Sequence, residues 1–245
     1  MIVLFTDFGL AGPYTGQVLA VLHQGAPQVP VISLFADAPS ARPKPAAYLL
    51  AAYGVWFPPG TVLLCVVDPG VGSARRAVVV EAEGRIYVGP DNGLFDIVMR
   101  RATAPLLWEI TWDPGPLSPS FHGRDLFAPV AARLARGDAV AELAQPAADQ
   151  SATRGWPDDL AEIVYLDHYG NAMTGLRGAL LSPSARLIAN GRTLQSATTF
   201  SAVPAGAAFW YVNSNGLAEI AVNGGRAAAA LGLDIGTPIR IDAAA

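Results

Sequence analysis

An N-terminal α/β domain built on a central sheet, followed by a smaller C-terminal β-barrel-like domain, is the architecture this 245-residue chain predicts. Through residue 140, short β-branched runs alternate with helical stretches, the rhythm of a layered α/β sheet. Residues 141–159, rich in alanine, proline and acidic side chains, form the expected linker. Residues 160–245 then carry short strands at turn-marked intervals, the pattern of a small barrel or sandwich. Hydrophobic residues make up 52% and charged ones 15%, a composition that fills packed cores and excludes a disordered chain.

The elements follow in order. Residues 2–5 are an apolar strand closed by Thr6-Asp7-Phe8-Gly9, and a helix follows with Val18, Leu19, Val21 and Leu22 on one face. Residues 31–35 form a second strand. Pro43 and Pro45 introduce a helix over 46–53, since proline suits a first helical turn. Residues 61–67 are the most hydrophobic run, too short for a helix and bounded by Pro58-Pro59-Gly60 and Asp68-Pro69-Gly70, so they predict a central buried strand. Residues 77–82 and 85–88 pair as a hairpin around Glu83-Gly84. Helices are expected over 94–101 and 124–135, the latter presenting Leu126, Phe127, Val130 and Leu134. In the second domain strands are expected at 161–166, 185–189, 209–212, 220–222 and 239–241, with one short helix over 226–231.

Composition also excludes function classes. The net charge of −4 argues against a phosphate-backbone partner, so no nucleic acid is expected. A single cysteine, Cys65, rules out an internal disulfide and a cysteine-based zinc site, and three histidines (His23, His122, His168) make a histidine-rich metal centre improbable. No stretch reaches the roughly 18 apolar residues a membrane span needs. The N-terminal segment lacks a basic region and carries Asp7 early, so it reads as a strand and not a signal peptide, and a cytoplasmic location is expected. The glycine patterns of dinucleotide-binding loops, phosphate-binding loops and serine-hydrolase elbows are all missing. What remains is a soluble protein acting on a small polar ligand, with no cofactor and no metal.

In open α/β sheets ligands gather beyond the carboxyl ends of the strands. Asp7 closes the first strand, Asp68 closes the buried strand, and Asp91-Asn92 follow Gly89-Pro90. A carboxylate directly after an apolar strand is either a turn-former or a working group, because burying it alone is costly. The spacing to Arg75 is informative, because the glycine-punctuated loop from Asp68 to Arg76 can fold an arginine back over that carboxylate; Arg76 reads as a surface charge, and sequence alone leaves open that the two exchange roles. His122, in Ser120-Phe121-His122-Gly123-Arg124-Asp125, opens a helix. There it is either a capping residue or a neutral imidazole able to orient a water.

Taken together, Thr6-Asp7-Phe8-Gly9, Val67-Asp68-Pro69-Gly70-Val71-Gly72, Gly89-Pro90-Asp91-Asn92-Gly93 and Phe121-His122-Gly123-Arg124-Asp125 resemble the S-adenosyl-L-methionine (SAM) hydroxide adenosyltransferases, relatives of the fluorinating and chlorinating enzymes. Asp167-His168-Tyr169-Gly170-Asn171 and Asn213-Ser214-Asn215-Gly216 extend the resemblance through the second domain, in the family's order. The resemblance implies SAM hydrolysis to adenosine and L-methionine, in a homotrimer whose sites lie between the N-terminal domain of one subunit and the C-terminal domain of its neighbour. It places the family's water-activating triad on Asp68, Arg75 and His122. It implies that Asp7 holds the ribose hydroxyls, Asp167 the methionine ammonium, and Ser214 and Asn215 its carboxylate. Asn171, Tyr169, Phe200, Glu219 and Val222 are the implied adenine-side residues. Asp68 stands where the halogenating relatives keep an aromatic, and Gly123 where the fluorinating ones keep a serine, which favours water over halide as nucleophile. The other readings are a non-catalytic SAM- or adenosine-binding protein and a SAM-dependent 5′-halogenase.

Overall fold

The computed structural model describes residues 1–149 and 155–242, and the chain divides into two compact units between Gly155 and Trp156. In the first unit, β1 (Ile2–Thr6), α1 (Tyr14–Gly25), β2 (Val31–Phe35), α2 (Pro43–Tyr53) and β3 (Val62–Val66) lay down three parallel strands. A hairpin of β4 (Ala77–Ala82) and β5 (Arg85–Pro90) follows, then α3 (Asp96–Arg101), β6 (Leu106–Ile110), α4 (Ala128–Arg136) and β7 (Ala144–Pro146). The seven strands order as β2-β1-β3-β5-β4-β6-β7, parallel from β2 to β5 and antiparallel beyond.

The central position of β3 follows from its sequence. All five of its residues are buried, as are those of β1, the strand beside it. Alternation divides them between two layers. Ile2, Leu4, Val62, Leu64 and Val66 pack with Val18 and Leu22 of α1 and with Phe127, Val130 and Leu134. On the other side Phe5 meets Phe35 at 5.2 Å, and Phe35 meets Tyr53 of α2 at 5.0 Å. Pro43 and Pro45 fall inside the first turn of α2, where their missing N–H groups leave no bond unmade, so the helix starts earlier than the expected residue 46. Gly137 ends α4 at φ 105°, a left-handed cap, with its N–H on the Arg133 and Leu134 carbonyls.

The structure differs from the expected elements in several places. Residues 124–127, expected as α-helix, belong instead to one π turn, Gly123–Phe127, before α4 begins. β6 was not expected, and β7 lies in the stretch read as linker, where Pro146 suits it to a sheet edge.

The second unit contains β8 (Leu160–Leu166), β9 (Ala172–Arg177), β10 (Arg186–Ala189), β11 (Arg192–Leu194), β12 (Ala208–Val212), β13 (Leu217–Val222), α5 (Ala227–Leu231) and β14 (Ile239–Asp242). They form two antiparallel sheets, β12-β13-β9-β8 and β11-β10-β14. Both line one core that includes Ile163, Leu176, Leu187, Trp210, Ile220 and Ile239. An isolated bridge between Glu162 and Pro238 joins the sheets on one side. β9 and β11 were not expected. Gly175 interrupts the apolar pattern of β9 because a Cβ there would lie 2.6 Å from the Leu160 Cβ. Among the described residues no helix is long and apolar enough to cross a membrane.

Candidate active site

The chain runs from β1 outward to β2 and returns to lay β3 on the opposite side of β1. Their carboxyl ends therefore diverge at a topological switch point, where α/β sheets open a ligand crevice. Asp7 and Asp68 flank that crevice. The Asp7 N–H donates to the Val66 carbonyl at 3.4 Å, and Asp7 Oδ2 accepts the Ala41 N–H at 2.8 Å. The peptide before Asp68 is held from the turn after β5, where Asn92 Nδ2 donates to the Val67 carbonyl at 2.8 Å.

The loop after Asp68 turns tightly. The Val71 N–H donates to the Asp68 carbonyl at 3.3 Å, the Ser73 hydroxyl donates to the Gly70 carbonyl at 2.6 Å, and the Ser73 hydroxyl accepts the Arg75 N–H at 3.3 Å. This folds Arg75 back onto the carboxylate: Nε donates to Oδ1 at 3.1 Å and Oδ2 at 3.0 Å, and Nη2 to Oδ2 at 2.5 Å. Phe127 supports the guanidinium, 5.1 Å from its ring centre. Arg76 turns elsewhere and pairs with Asp91 at 2.7 Å, so Arg75 is the arginine beside Asp68.

His122 stands just before the π turn, with Nδ1 3.1 Å from Arg75 Nη2. A guanidinium has no lone pair to offer, so Nδ1 accepts and the neutral ring carries its proton on Nε2. Burial and then the Arg75 charge lower the His122 pKa from its usual value, against weaker upward pulls from Asp68 and Asp125. Burial raises the Asp7 pKa, with Asp68 adding to the rise and the Ala41 N–H opposing it. Asp7, Phe8, Asp68, Val71, Phe121 and His122 line a cavity of about 110 Å³. An adjoining cavity of about 560 Å³ is lined by Asp7, Tyr14, Gln17, Ser120 and Arg124. Phe8 and Phe121, at 5.7 Å edge to face, wall both.

The second unit has its own cavity, about 510 Å³, lined by Asp167, Tyr169, Asn171, Phe200, Tyr211 and Val222 with the Gly224-Gly225 turn. Five of the expected residues thus meet there, and two aromatics stand open to solvent, Tyr169 at 73% and Phe200 at 37%. Ser214 and Asn215 lie outside this lining, on the turn between β12 and β13. Glu219 is behind it, 2% exposed, bonded by Tyr211 and Asn213. Tyr211 was not anticipated, although the sequence holds a signal. A hairpin turning at Asn213–Gly216 sets Tyr211 opposite Glu219, and a carboxylate inside an apolar strand needs a donor. Phe8, Phe121 and Ser120 were quoted only as motif residues. A larger cavity of about 640 Å³ near Leu181, Trp210 and Val212 is mainly apolar and holds no titratable group except Tyr211. The polar chemistry sits in the other cavities. His23 and His168 are exposed and line neither cavity, although the His168 ring meets Tyr169 edge to face at 5.7 Å.

The chain matches family models over both units: the SAM hydroxide adenosyltransferase N-terminal domain over residues 2–144 and the C-terminal domain over residues 161–240. It is 40% identical to an (R)-S-adenosyl-L-methionine hydrolase of Thermus thermophilus, covering 98% of each chain. It is 39% identical to one of Salinispora arenicola, covering 97% of this chain and 96% of the relative. A solved structure of an uncharacterized conserved protein from Thermotoga maritima superposes with a TM-score of 0.89 at 29% identity, over 99% of this chain and 100% of that one. A conserved hypothetical protein from Thermus thermophilus superposes with a TM-score of 0.77 at 36% identity, over 98% of this chain and 99% of that one. With both halves matched in order, the chain belongs to the SAM hydroxide adenosyltransferase family.

Proposed function

We propose that this protein hydrolyses SAM, preferring the (R)-sulfonium epimer, to adenosine and L-methionine by attack of an activated water on ribose C5′. The observation that carries the reading is the Asp68–Arg75–His122 cluster at the strand ends of a chain in this family. The names of its relatives, (R)-SAM hydrolases at about 40% identity, support the substrate and the epimer.

The reaction is a displacement. A lone pair of the water oxygen forms the C5′–O bond while the C5′–S bond breaks, and its electron pair converts the sulfonium to the neutral thioether of methionine. The leaving group needs no proton, so the site must aim one water and take one proton from it. Asp68 accepts that proton, which then passes to solvent. The Nε2–H of neutral His122 donates to the water oxygen and fixes its direction. Arg75 fixes the Asp68 carboxylate and keeps His122 neutral. Asp7, an acceptor-only carboxylate, takes the ribose hydroxyls. Asn171, Tyr169, Phe200 and Val222 receive the adenine, Asp167 the methionine ammonium, and Ser214 and Asn215 its carboxylate. Glu219 supports the adenine side from behind. The protein acts in the cytoplasm as a homotrimer, each substrate held between the first unit of one subunit and the second unit of its neighbour. The family resemblance supports that arrangement.

The test is chromatography after incubation with separated (R)- and (S)-SAM, without halide and with a chelator. Equal amounts of adenosine and methionine, faster from (R)-SAM, are expected. SAM retained unchanged by the protein would overturn the catalytic reading.

A further inference from the structure

The turn Gly89-Pro90-Asp91-Asn92-Gly93 supplies no residue to the proposed displacement. It ends β5, which runs beside β3 and pairs Val88 with Leu64. Gly89 lets the two strands approach closely, since a Cβ there would overlap the Cys65 carbonyl oxygen. The turn therefore emerges beside the loop that leaves β3 with Asp68.

Asn92 holds the entry of that loop. Its Nδ2 donates to the Val67 carbonyl at 2.8 Å, and its Oδ1 accepts the N–H of fully buried Leu94 at 3.2 Å. A side-chain amide both donates and accepts, whereas a carboxylate would set a lone pair against the Val67 carbonyl. Asp91 holds the exit. Its N–H donates to the Arg76 carbonyl at 3.0 Å, and its Oδ2 accepts Arg76 Nε at 2.8 Å and Nη2 at 2.7 Å. The same Arg76 carbonyl accepts Arg75 Nη1 at 3.5 Å, so the turn also steadies the arginine that faces Asp68. Between the two ends Gly72, Ser73 and Ala74 are exposed, and the ends set where Asp68 and Arg75 stand. We propose that Asp91 and Asn92 are positioning residues, a clamp on both ends of the loop that aims the Asp68 carboxylate at the attacking water. The inference rests on the proposed reading that Asp68 accepts the proton of that water. A base held in line gains its rate from geometry, and a small misplacement forfeits it.

Steady-state kinetics on (R)-SAM test the clamp, with circular dichroism and thermal midpoints read to establish that the variants fold. Asn92→Ala removes both amide bonds, and Asn92→Asp keeps the Leu94 bond but loses the donor to Val67. Each is expected to lower kcat by about tenfold to a hundredfold and to leave KM within about twofold. Asp91→Asn and Arg76→Gln break one shared ion pair at the more exposed end, and they keep the test open if Asn92→Ala does not fold. Both should lower kcat by a similar factor, and the double variant should fall no further. A clamp that acts through Asp68 has nothing left to aim in Asp68→Asn, so adding Asn92→Ala there should cost no more than about twofold. Equal losses in the two backgrounds are what a merely structural turn gives. That result, or the parent kcat in folded Asn92→Asp and Asp91→Asn, would overturn the inference and leave the proposed function standing. A parent that does not hydrolyse SAM would overturn the proposed function and the inference with it.

Discussion

Replacing Asp68 by asparagine separates the chemical role of the carboxylate from its place in the fold. The Asp68 and Arg75 side chains are only 5% and 10% exposed, so their pair falls among buried ion pairs. Removing one partner of such a pair costs about 3–5 kcal/mol, because the other charge is left uncompensated. Asparagine keeps one acceptor oxygen but sets an NH₂ against Arg75 Nε or Nη2, so the lower end, about 3 kcal/mol, is expected. For a chain of this size about 1 kcal/mol moves the thermal midpoint by about 2–4 °C, which gives a fall of about 6–12 °C. The proton acceptor is lost as well, and general-base catalysis is worth about 10²–10⁴ in kcat. KM should hardly change, since in the proposed mechanism Asp68 faces the water and not the adenosine. Product formation is to be followed by chromatography well below the lowered midpoint, so that only folded protein is compared. A folded Asp68→Asn variant with kcat within tenfold of the parent would refute the assignment of the base.

Three further outcomes follow from the same geometry. Because the His122 pKa is lowered, the parent should lose kcat as pH falls below the ordinary histidine value of about 6.5, and His122→Asn should have a lower kcat without that acid limb. The same shift acts on stability: the unfolded chain binds the proton first as pH falls, so stability drops from about pH 6.5 toward the folded pKa. Denaturant titrations at several pH values should find that slope reduced in the variant. Gly89→Ala should yield no folded protein by circular dichroism and size-exclusion chromatography, since its Cβ would overlap the Cys65 carbonyl oxygen between β5 and β3. In Gly123→Ala the new Cβ would meet Phe8 Cζ at 2.9 Å and push the ring off Phe121. Calorimetry should find a loss of about 1–3 kcal/mol, and kinetics a kcat lower by about tenfold to a hundredfold.

The strand ends were legible because burial and polarity change abruptly there. An apolar run stopping at Asp68 or Thr6-Asp7 marks both the strand and the place where a ligand gathers. The loop that returns Arg75 and not Arg76 was not legible. Its outcome depends on Asp91, just past the end of β5, taking the second guanidinium, a contact 15 residues away in sequence. β7 and β9 escaped notice because Pro146 and Gly175 are poor strand formers that tertiary packing overrides. Glu219 was expected among the adenine-side residues, but its burial beneath Tyr211 required the hairpin register that sets the two opposite each other.

The central claim is that water bound beside Asp68 and His122 attacks ribose C5′. Hydrolysis of (R)-SAM in ¹⁸O-labelled water, with mass spectrometry of both products, tests it most directly. One ¹⁸O in the 5′-hydroxyl of adenosine and none in methionine is the result this mechanism requires. Adenosine without label, or label in the amino-acid product, would contradict it.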